Sequence, residues 1–162
     1  MNISQKMLNL FIRQIIHEDA NKNLYLKISS VLKNMGLNKI GIFFAEQADG
    51  EYGHKKILID YLNNRNVNFE MGSIPEVNYE FKGVIDLGTI YVEREKGTTS
   101  MLKDITHLAL MDGDDLTYQH IMETLIKEQI EEESTSQTVL DIANLAQDDI
   151  FKFSVMFEQN LL

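Results

Sequence analysis

The chain contains 162 residues, of which 44% are hydrophobic, and this length and composition predict a single domain over residues 1–162 with a full apolar core. Its formal net charge of -10 argues against binding to nucleic acid or to an anionic membrane, and it suits a protein that attracts cations. The absence of cysteine excludes disulfides, zinc knuckles, iron–sulfur clusters and thiol nucleophiles, so a metal would be held mainly by oxygen and imidazole ligands.

The first predicted helix runs from about residue 4 to residue 35, with Gly36 as its stop signal. Apolar residues recur along it at alternating steps of three and four, which is the spacing of one helix face. Glu18 and Lys22 interrupt this apolar stripe, and Tyr25 follows Glu18 after two turns. Glu18 therefore fits either a metal ligand or an ordinary ion pair with Lys22 one turn later.

The second predicted helix covers about residues 38–64 and forms a hairpin with the first, because the segment between them is short. Glu51 and His54 both fall on its otherwise apolar stripe. A buried carboxylate without a partner is strongly unfavourable, and a metal ion is the simplest compensation. A Glu-x-x-His pattern alone also arises often by chance, so it needs support from the other helices.

A long segment without helical periodicity, about residues 63–79, contains the only proline, Pro75. Roughly 17 residues at about 3.3 Å each exceed the ~40 Å length of a helix of about 27 residues. The segment is therefore predicted to cross the length of a bundle and to join two parallel helices. The third helix is predicted over about residues 80–111, where Glu95 is the only acid on the stripe.

The fourth predicted helix follows the acidic turn at residues 112–115, and its phase is ambiguous. In one frame Glu128 and Glu132 face inward, whereas a shift by one residue places Gln129 inward in place of Glu128. Glu131 can also join Glu128 at a spacing of three residues. All four side chains remain candidate ligands.

A short amphipathic helix is predicted over residues 150–162. The elements together predict an all-α fold, a four-helix bundle with two hairpins, a long crossover between helices 2 and 3, and a short C-terminal fifth helix. The first six residues lack a basic segment followed by an apolar run, and no stretch of about 20 apolar residues occurs. We therefore expect a soluble, cytoplasmic protein.

Polar interruptions near the middle of each long helix, five acids and one histidine, would meet at one level of the bundle. They are Glu18, Glu51, His54, Glu95, Glu128 and Glu132. About five negative charges around one imidazole require compensation, which two divalent cations would supply. Oxygen-rich ligation with a histidine is typical of iron or manganese sites.

Other polar side chains are interpreted by their position relative to the stripes. Tyr25 fits either a core aromatic with a satisfied hydroxyl, or a hydrogen-bond partner or electron donor beside the metals. The three remaining histidines fall off the stripes and are expected at the surface: His17, His107 and His120.

This constellation resembles the ferritin family along essentially the whole chain. The similarity rests on Glu18 with Tyr25 seven residues later, Glu51-x-x-His54, Glu95 with Thr99 and Leu102 following, and the run Glu128-Gln129-Ile130-Glu131-Glu132-Glu133. The resemblance implies that Glu18, Glu51 and His54 hold one iron. It implies a second iron held by Glu51, Glu95 and a residue of the Glu128 to Glu132 cluster, with Glu51 bridging and Gln129 beside the centre. A third iron position is implied at Glu128, Glu131 and Glu132.

Two departures indicate which type of ferritin the chain resembles. Bacterial non-haem ferritins usually have a second glutamate where this chain has Gly50. This difference weakens the implication of a third iron position. Bacterioferritins, a similar group, have a haem-ligating methionine where Tyr52 stands, and a histidine where Glu131 stands. The resemblance therefore favours a haem-free, bacterial non-haem ferritin.

The activity implied by the resemblance is ferroxidase activity, the oxidation of Fe(II) by dioxygen or hydrogen peroxide at a di-iron centre. Storage of the product as a ferric mineral would follow, in a cage of 24 identical subunits. Three alternatives remain open: a rubrerythrin-like di-metal oxidoreductase without a cage, a small-cage DNA-protecting relative, and a structural helical bundle that binds no metal.

Overall fold

Five helices make up the computed structural model of the chain, which describes residues 3–162 and has no strand in that range. The fourth helix contains one π-helical turn. In chain order the helices are α1 (Gln5–Asn34), α2 (Asn38–Asn64), α3 (Val84–Asp112), α4 (Asp115–Ile121, the π turn Met122–Ile126 and Lys127–Leu145) and α5 (Ile150–Leu161). The predicted all-α fold is confirmed. Met1 and Asn2, which belong to the predicted domain and to the amino-terminal pattern, lie outside the described residues.

The hairpin between α1 and α2 has local sequence signals at both ends of its first helix. The hydroxyl of Ser4 accepts the backbone N–H of Met7 at 3.1 Å and caps the start of α1. After Asn34 the chain turns at Gly36, whose φ of 85° is in the left-handed region that glycine adopts without steric cost. These local signals explain why both ends of α1 and the start of α2 lie close to their predicted bounds.

Two apolar clusters form the core and show the direction of each helix. The first cluster includes Phe11, Leu58, Ile105 and Ile121, and the second includes Ile28, Phe44, Leu87 and Val139. The chain passes from the first cluster to the second along α1 and α4, and in the opposite sense along α2 and α3. Helices α2 and α3 are therefore parallel, and each forms an antiparallel hairpin with its neighbour in sequence.

The crossover between α2 and α3 follows from these directions. Val67 and Phe69 pack against the first cluster, and Val77 and Phe81 pack against the second. The segment thus crosses the bundle from end to end, as its length predicted.

The start of α3 differs from the prediction by four residues, because the helix begins at Val84 and not near residue 80. The residue before it, Gly83, has a φ of 137°. The carboxylate of Asp148 accepts the backbone N–H of Ile85 at 2.9 Å, and a Cβ at position 83 would collide with this carboxylate. The start of α3 is therefore fixed by a side chain from the turn between α4 and α5, which helical periodicity does not show.

The π turn sets the phase of α4. Buried positions before and through the turn are spaced by four residues, at Thr117, Ile121, Leu125 and Gln129. A π turn accommodates more residues per turn than an α-helix, so the inward face moves by one residue. The frame with Glu128 inward is wrong for α4, and the alternative frame with Gln129 inward is the one observed.

The last helix, α5, packs on the second cluster through Phe153 and Phe157. Its start is capped by Asp149, whose carboxylate accepts the backbone N–H of Lys152 at 2.9 Å. Over residues 3–162, every helix is too short or too polar to cross a lipid bilayer.

Candidate metal centre

A layer of buried polar side chains separates the two apolar clusters at the middle of the bundle. Its members come from all four long helices: Gln14, Glu18, Asn21, Glu51, His54, Glu95, Thr98 and Gln129. Buried acids are rare unless they are paired or bind a metal, so a layer containing three of them needs a compensating group.

Three side chains in this layer could share one metal ion. Glu18, Glu51 and His54 each offer a ligand atom, and these atoms all lie within 4.8 Å of one another. The Nδ1 atom of His54 is 3.3 Å from Oε2 of Glu51 and 3.9 Å from Oε2 of Glu18. The family resemblance implied that these three residues hold the first iron, and the structure brings their ligand atoms together.

Glu18 supplies an observation that favours a cation at this point. Its side chain is 0% exposed, and the amide of Gln14 donates to Oε1 at 2.6 Å. Its other oxygen, Oε2, is buried with no nitrogen or hydroxyl donor within hydrogen-bonding distance, and it lies on the side of His54. An unpartnered buried carboxylate oxygen is unfavourable, and a cation between Glu18, Glu51 and His54 would satisfy it.

Glu95 on α3 forms the second part of the layer and has hydrogen bonds to both of its oxygens. The hydroxyl of Tyr25 donates to Oε1 at 2.5 Å, and the amide of Gln129 donates to Oε2 at 3.2 Å. Gln129 is 2% exposed, and its amide is also 3.2 Å from the hydroxyl of Thr99. Tyr25 is thus both a core aromatic and a hydrogen-bond partner of a candidate ligand.

The acids of α4 lie at the rim of the layer. Glu128 has a side chain 56% exposed, yet its Oε2 atom is 2.9 Å from Nε2 of His54. Glu132 is half-buried and Glu131 is exposed. Glu128 and Glu131 also line an open cavity of about 350 Å³ beside the rim, together with Glu123. The structure therefore brings Gln129 into the layer and leaves Glu131 outside it.

Burial raises the pKa of each acid in the centre. The pKa of Glu18 lies well above its usual range because of burial and then the neighbouring charge of Glu51. Burial raises the pKa of Glu51 to about 8, while hydrogen bonds with Glu18 and Asn21 act in the opposite direction. Burial is also the main reason that the pKa of Glu95 lies above its ordinary value.

Glu132 shows the same effect at the edge, where burial and then the charge of Glu95 raise its pKa to about 7. Without a cation these carboxyl groups hold protons at a pH at which exposed glutamates are ionised. A metal that binds here must displace those protons, so its affinity increases as the pH rises.

Two expectations for the other histidines are wrong. The ring of His17 is half-buried, with Nε2 2.8 Å from the hydroxyl of Thr98, because this side of α1 faces α3 and not solvent. The ring of His120 stacks on Tyr61 with centroids 4.3 Å apart. His107 is exposed, as predicted.

The ion pair considered for Glu18 is also absent from the described residues. Lys22 instead contacts Asp19, with Nζ 3.0 Å from Oδ1, and Lys55 contacts the other oxygen of Asp19 at 2.6 Å. The stripe used to interpret α1 included Lys22, whereas the buried position is Asn21. A stripe with steps of four and three from Gln14 through Glu18 would have included Asn21, which the sequence reasoning missed.

The chain is similar to known proteins over most of its length. The family model of the ferritin-like domain matches residues 8–146. A bacterial non-heme ferritin of Staphylococcus haemolyticus is 28% identical over 147 residues, which are 91% of this chain and 88% of that protein. Among solved structures, Chlorobium tepidum ferritin is similar with a TM-score of 0.86 and 26% identity, covering 99% of this chain and 100% of that one.

A novel open pore ferritin from the hyperthermophilic archaeon Archaeoglobus fulgidus has a TM-score of 0.91, with coverage of 98% of this chain and 97% of that one. Its sequence identity of 22% limits this likeness to the fold. The matched range of the family model, residues 8–146, includes every residue of the buried polar layer.

Proposed function

Because the chain belongs to the ferritin-like family, as its sequence predicted, we propose that it stores iron by oxidising Fe(II) at the buried polar layer and keeping the product as a ferric mineral. The observation that carries the proposal is the convergence of Glu18, Glu51 and His54, with one oxygen of Glu18 left unpartnered. A set of oxygens and one imidazole suits iron as the substrate.

Two iron positions are proposed within one subunit. Glu18, Glu51 and His54 would bind the first Fe(II), for which their ligand atoms are already close. Glu51 and Glu95 would bind the second, together with Glu132 from α4, whose pKa is raised in part by the charge of Glu95. Glu51 would bridge the two positions, since it faces His54 on one side and its pKa responds to Glu95 on the other.

The side chains around the irons orient ligands and hold protons. Two adjacent Fe(II) ions supply electrons to dioxygen or hydrogen peroxide, and carboxylates favour the harder Fe(III). Tyr25 and Gln129 fix the orientation of Glu95 through the two hydrogen bonds described above. We also propose that Tyr25, 0% exposed and in contact with a ligand, can donate an electron.

Glu128 is proposed to guide iron toward His54. Its side chain is largely exposed, its carboxylate contacts His54, and it lines the same cavity as Glu131. Fe(II) arriving there would meet Glu128 before the buried ligands. A third iron position at Glu128, Glu131 and Glu132 remains part of the proposal, with Gly50 in place of the usual additional acid.

The wider assembly is proposed from the family. We propose that residues 1–162 act as one domain in a cage of 24 identical subunits in the cytoplasm, binding neither nucleic acid nor membrane. A haem-free cage is proposed because Tyr52 stands where bacterioferritins have their haem-ligating methionine. Size-exclusion chromatography tests the cage, because a rubrerythrin-like oxidoreductase would elute far later.

The activity is tested by replacing two ligands separately, Glu51→Ala and His54→Ala, with His107→Ala as a matched control at an exposed histidine of α3. Fe(II) is added without oxygen, oxygen is admitted, and the ultraviolet absorbance of Fe(III) is followed. We expect both ligand variants to lose fast oxidation while their circular dichroism stays helical. Wild-type initial rates in both variants would overturn the proposed function.

A further inference from the structure

Three polar residues behind Glu51 form a connected group that the proposed iron positions do not use. Asn21 and Thr98 are fully buried on α1 and α3, and His17 lies one turn before Asn21. The amide nitrogen of Asn21 is 3.3 Å from Oε1 of Glu51, 3.1 Å from the hydroxyl of Thr98 and 3.3 Å from Nε2 of His17. We call His17, Asn21 and Thr98 the Asn21 network.

The orientation of the Asn21 amide is determined by its neighbour Glu51. Its nitrogen has two hydrogens, so one can be donated to Glu51 and the other to Thr98 or His17. When Glu51 is ionised to bind metal, the reverse orientation would place the amide oxygen against a carboxylate oxygen, and neither atom offers a hydrogen. The network therefore presents a donor to Glu51.

Thr98 and His17 hold that amide from behind. The Thr98 hydroxyl lies 2.8 Å from Nε2 of His17 and 3.0 Å from the backbone oxygen of Arg94. Nε2 of His17 lies between the Thr98 hydroxyl and the Asn21 amide, and the imidazole tautomer sets which of these groups donates. The network connects α1 to α3 and ends on a single oxygen of Glu51 on α2.

The contact leaves Glu51 able to bind metal. Each carboxylate oxygen has two lone-pair directions, so Oε1 can accept the Asn21 hydrogen and still contact a cation. The other oxygen, Oε2, faces Nδ1 of His54 at 3.3 Å and is free of Asn21. An uncharged donor orients the carboxylate and leaves its negative charge available to a metal. A basic side chain in the same place would neutralise that charge.

We propose that the Asn21 network is a positioning device that holds the Glu51 carboxylate in its metal-binding orientation. The inference rests on the proposed function, because it concerns the residue that would bridge the two irons. The alternative is a network that only joins α1 to α3 and contributes to stability alone.

The experiment uses Co(II), titrated into the assembled wild-type protein and variants and followed by visible absorption. Asn21→Leu removes the donor at similar volume, and Thr98→Val removes the hydroxyl at the same shape. We expect Asn21→Leu to weaken Co(II) binding about 10-fold, the lower end of the loss seen when residues behind metal ligands are replaced. Thr98→Val should weaken binding in the same direction.

Two matched controls separate positioning from stability. Thr98→Ser keeps the hydroxyl and should restore wild-type affinity. Thr106→Val makes the same chemical change at a buried threonine of α3 whose hydroxyl donates only to the backbone oxygen of Lys103, at 3.0 Å. It should lower the Tm about as much as Thr98→Val and leave Co(II) affinity unchanged.

The outcomes decide between this inference and the proposed function. Wild-type Co(II) affinity in both Asn21→Leu and Thr98→Val, with a lower Tm, would show a structural network and overturn the inference alone. If Asn21→Leu does not fold, the difference between Thr98→Val and Thr98→Ser decides. If Glu51→Ala binds Co(II) like the wild type, the proposed function fails, and the inference fails with it.

Discussion

At the scale of single residues, Glu51 combines burial with a proton-dependent role. Its pKa is raised to about 8 mainly by burial, whereas the carboxyl of an unfolded chain titrates near 4.5. Between these values the folded, metal-free protein binds more protons at this position than the unfolded chain does. Its stability therefore decreases as the pH rises from about 4.5 to about 8.

The substitution Glu51→Gln tests this effect, because the amide does not titrate. In chelator-treated protein we expect the Tm of the wild type to decrease between pH 5 and pH 8 more steeply than that of the variant. The measurement is calorimetry at a series of pH values. Parallel curves for the two proteins would contradict a protonated Glu51 in the metal-free state.

Tyr25 provides a second prediction at the residue scale. Tyr25→Phe removes the hydrogen bond to Glu95, and leaving a buried acceptor unsatisfied costs about 1–3 kcal/mol. Because Glu95 also loses its orientation, we expect iron oxidation to slow about tenfold. Stopped-flow absorbance measures the rate.

Tyr91→Phe is the matched control for Tyr25→Phe. The two rings are in contact with centroids 5.4 Å apart, but the hydroxyl of Tyr91 donates to Gln47 and not to a candidate ligand. Its oxidation rate should equal that of the wild type. Equal slowing in both variants would indicate a packing effect, and the role assigned to Tyr25 would then be wrong.

At the scale of secondary structure, a helix end set by nearby residues can be predicted from the sequence, whereas one set by a distant residue cannot. Both ends of α1 and the start of α2 were predictable because Ser4 and Gly36 act within a few residues of them. The start of α3 was not predictable, because Asp148, which accepts its backbone N–H, comes from the turn between α4 and α5. Helical periodicity contains no information on such a contact.

The π turn in α4 limited the prediction of the site itself. Helical spacing assumes a constant number of residues per turn, so the extra residue at Met122–Ile126 made Glu128 and Gln129 indistinguishable from the sequence. In contrast, Glu18, Glu51, His54 and Glu95 lie on regular helices, and their convergence was predicted.

Deleting Thr124 from the π turn tests its role in phasing the helix. The π turn lets Ile121 and Gln129 share one buried face although they are eight residues apart, whereas a regular α-helix would place them about 80° from each other. After the deletion they are seven residues apart, which is close to two turns of an α-helix. We therefore expect the turn to become α-helical with both side chains still buried, and Co(II) binding to be retained. Loss of Co(II) binding with unchanged helix content would contradict the role of the turn.

At the scale of the whole molecule, the bundle places a polar layer between two apolar clusters. The clusters supply the apolar burial that stabilises the fold, on the order of 2 kcal/mol for each large side chain. The layer between them retains acids that burial keeps protonated until a cation displaces their protons. The depth of the layer was predictable from acids at mid-helix, whereas the Asn21 network depends on how α1 packs against α3.

The central claim is that two irons bind inside one subunit, between the helices. Crystals soaked anaerobically in Fe(II) and measured at the iron absorption edge give an anomalous difference map that locates the metal directly. We predict one peak among Glu18, Glu51 and His54 and a second between Glu51, Glu95 and α4. A map with iron only on exposed acids, and none in the buried polar layer, would contradict the claim.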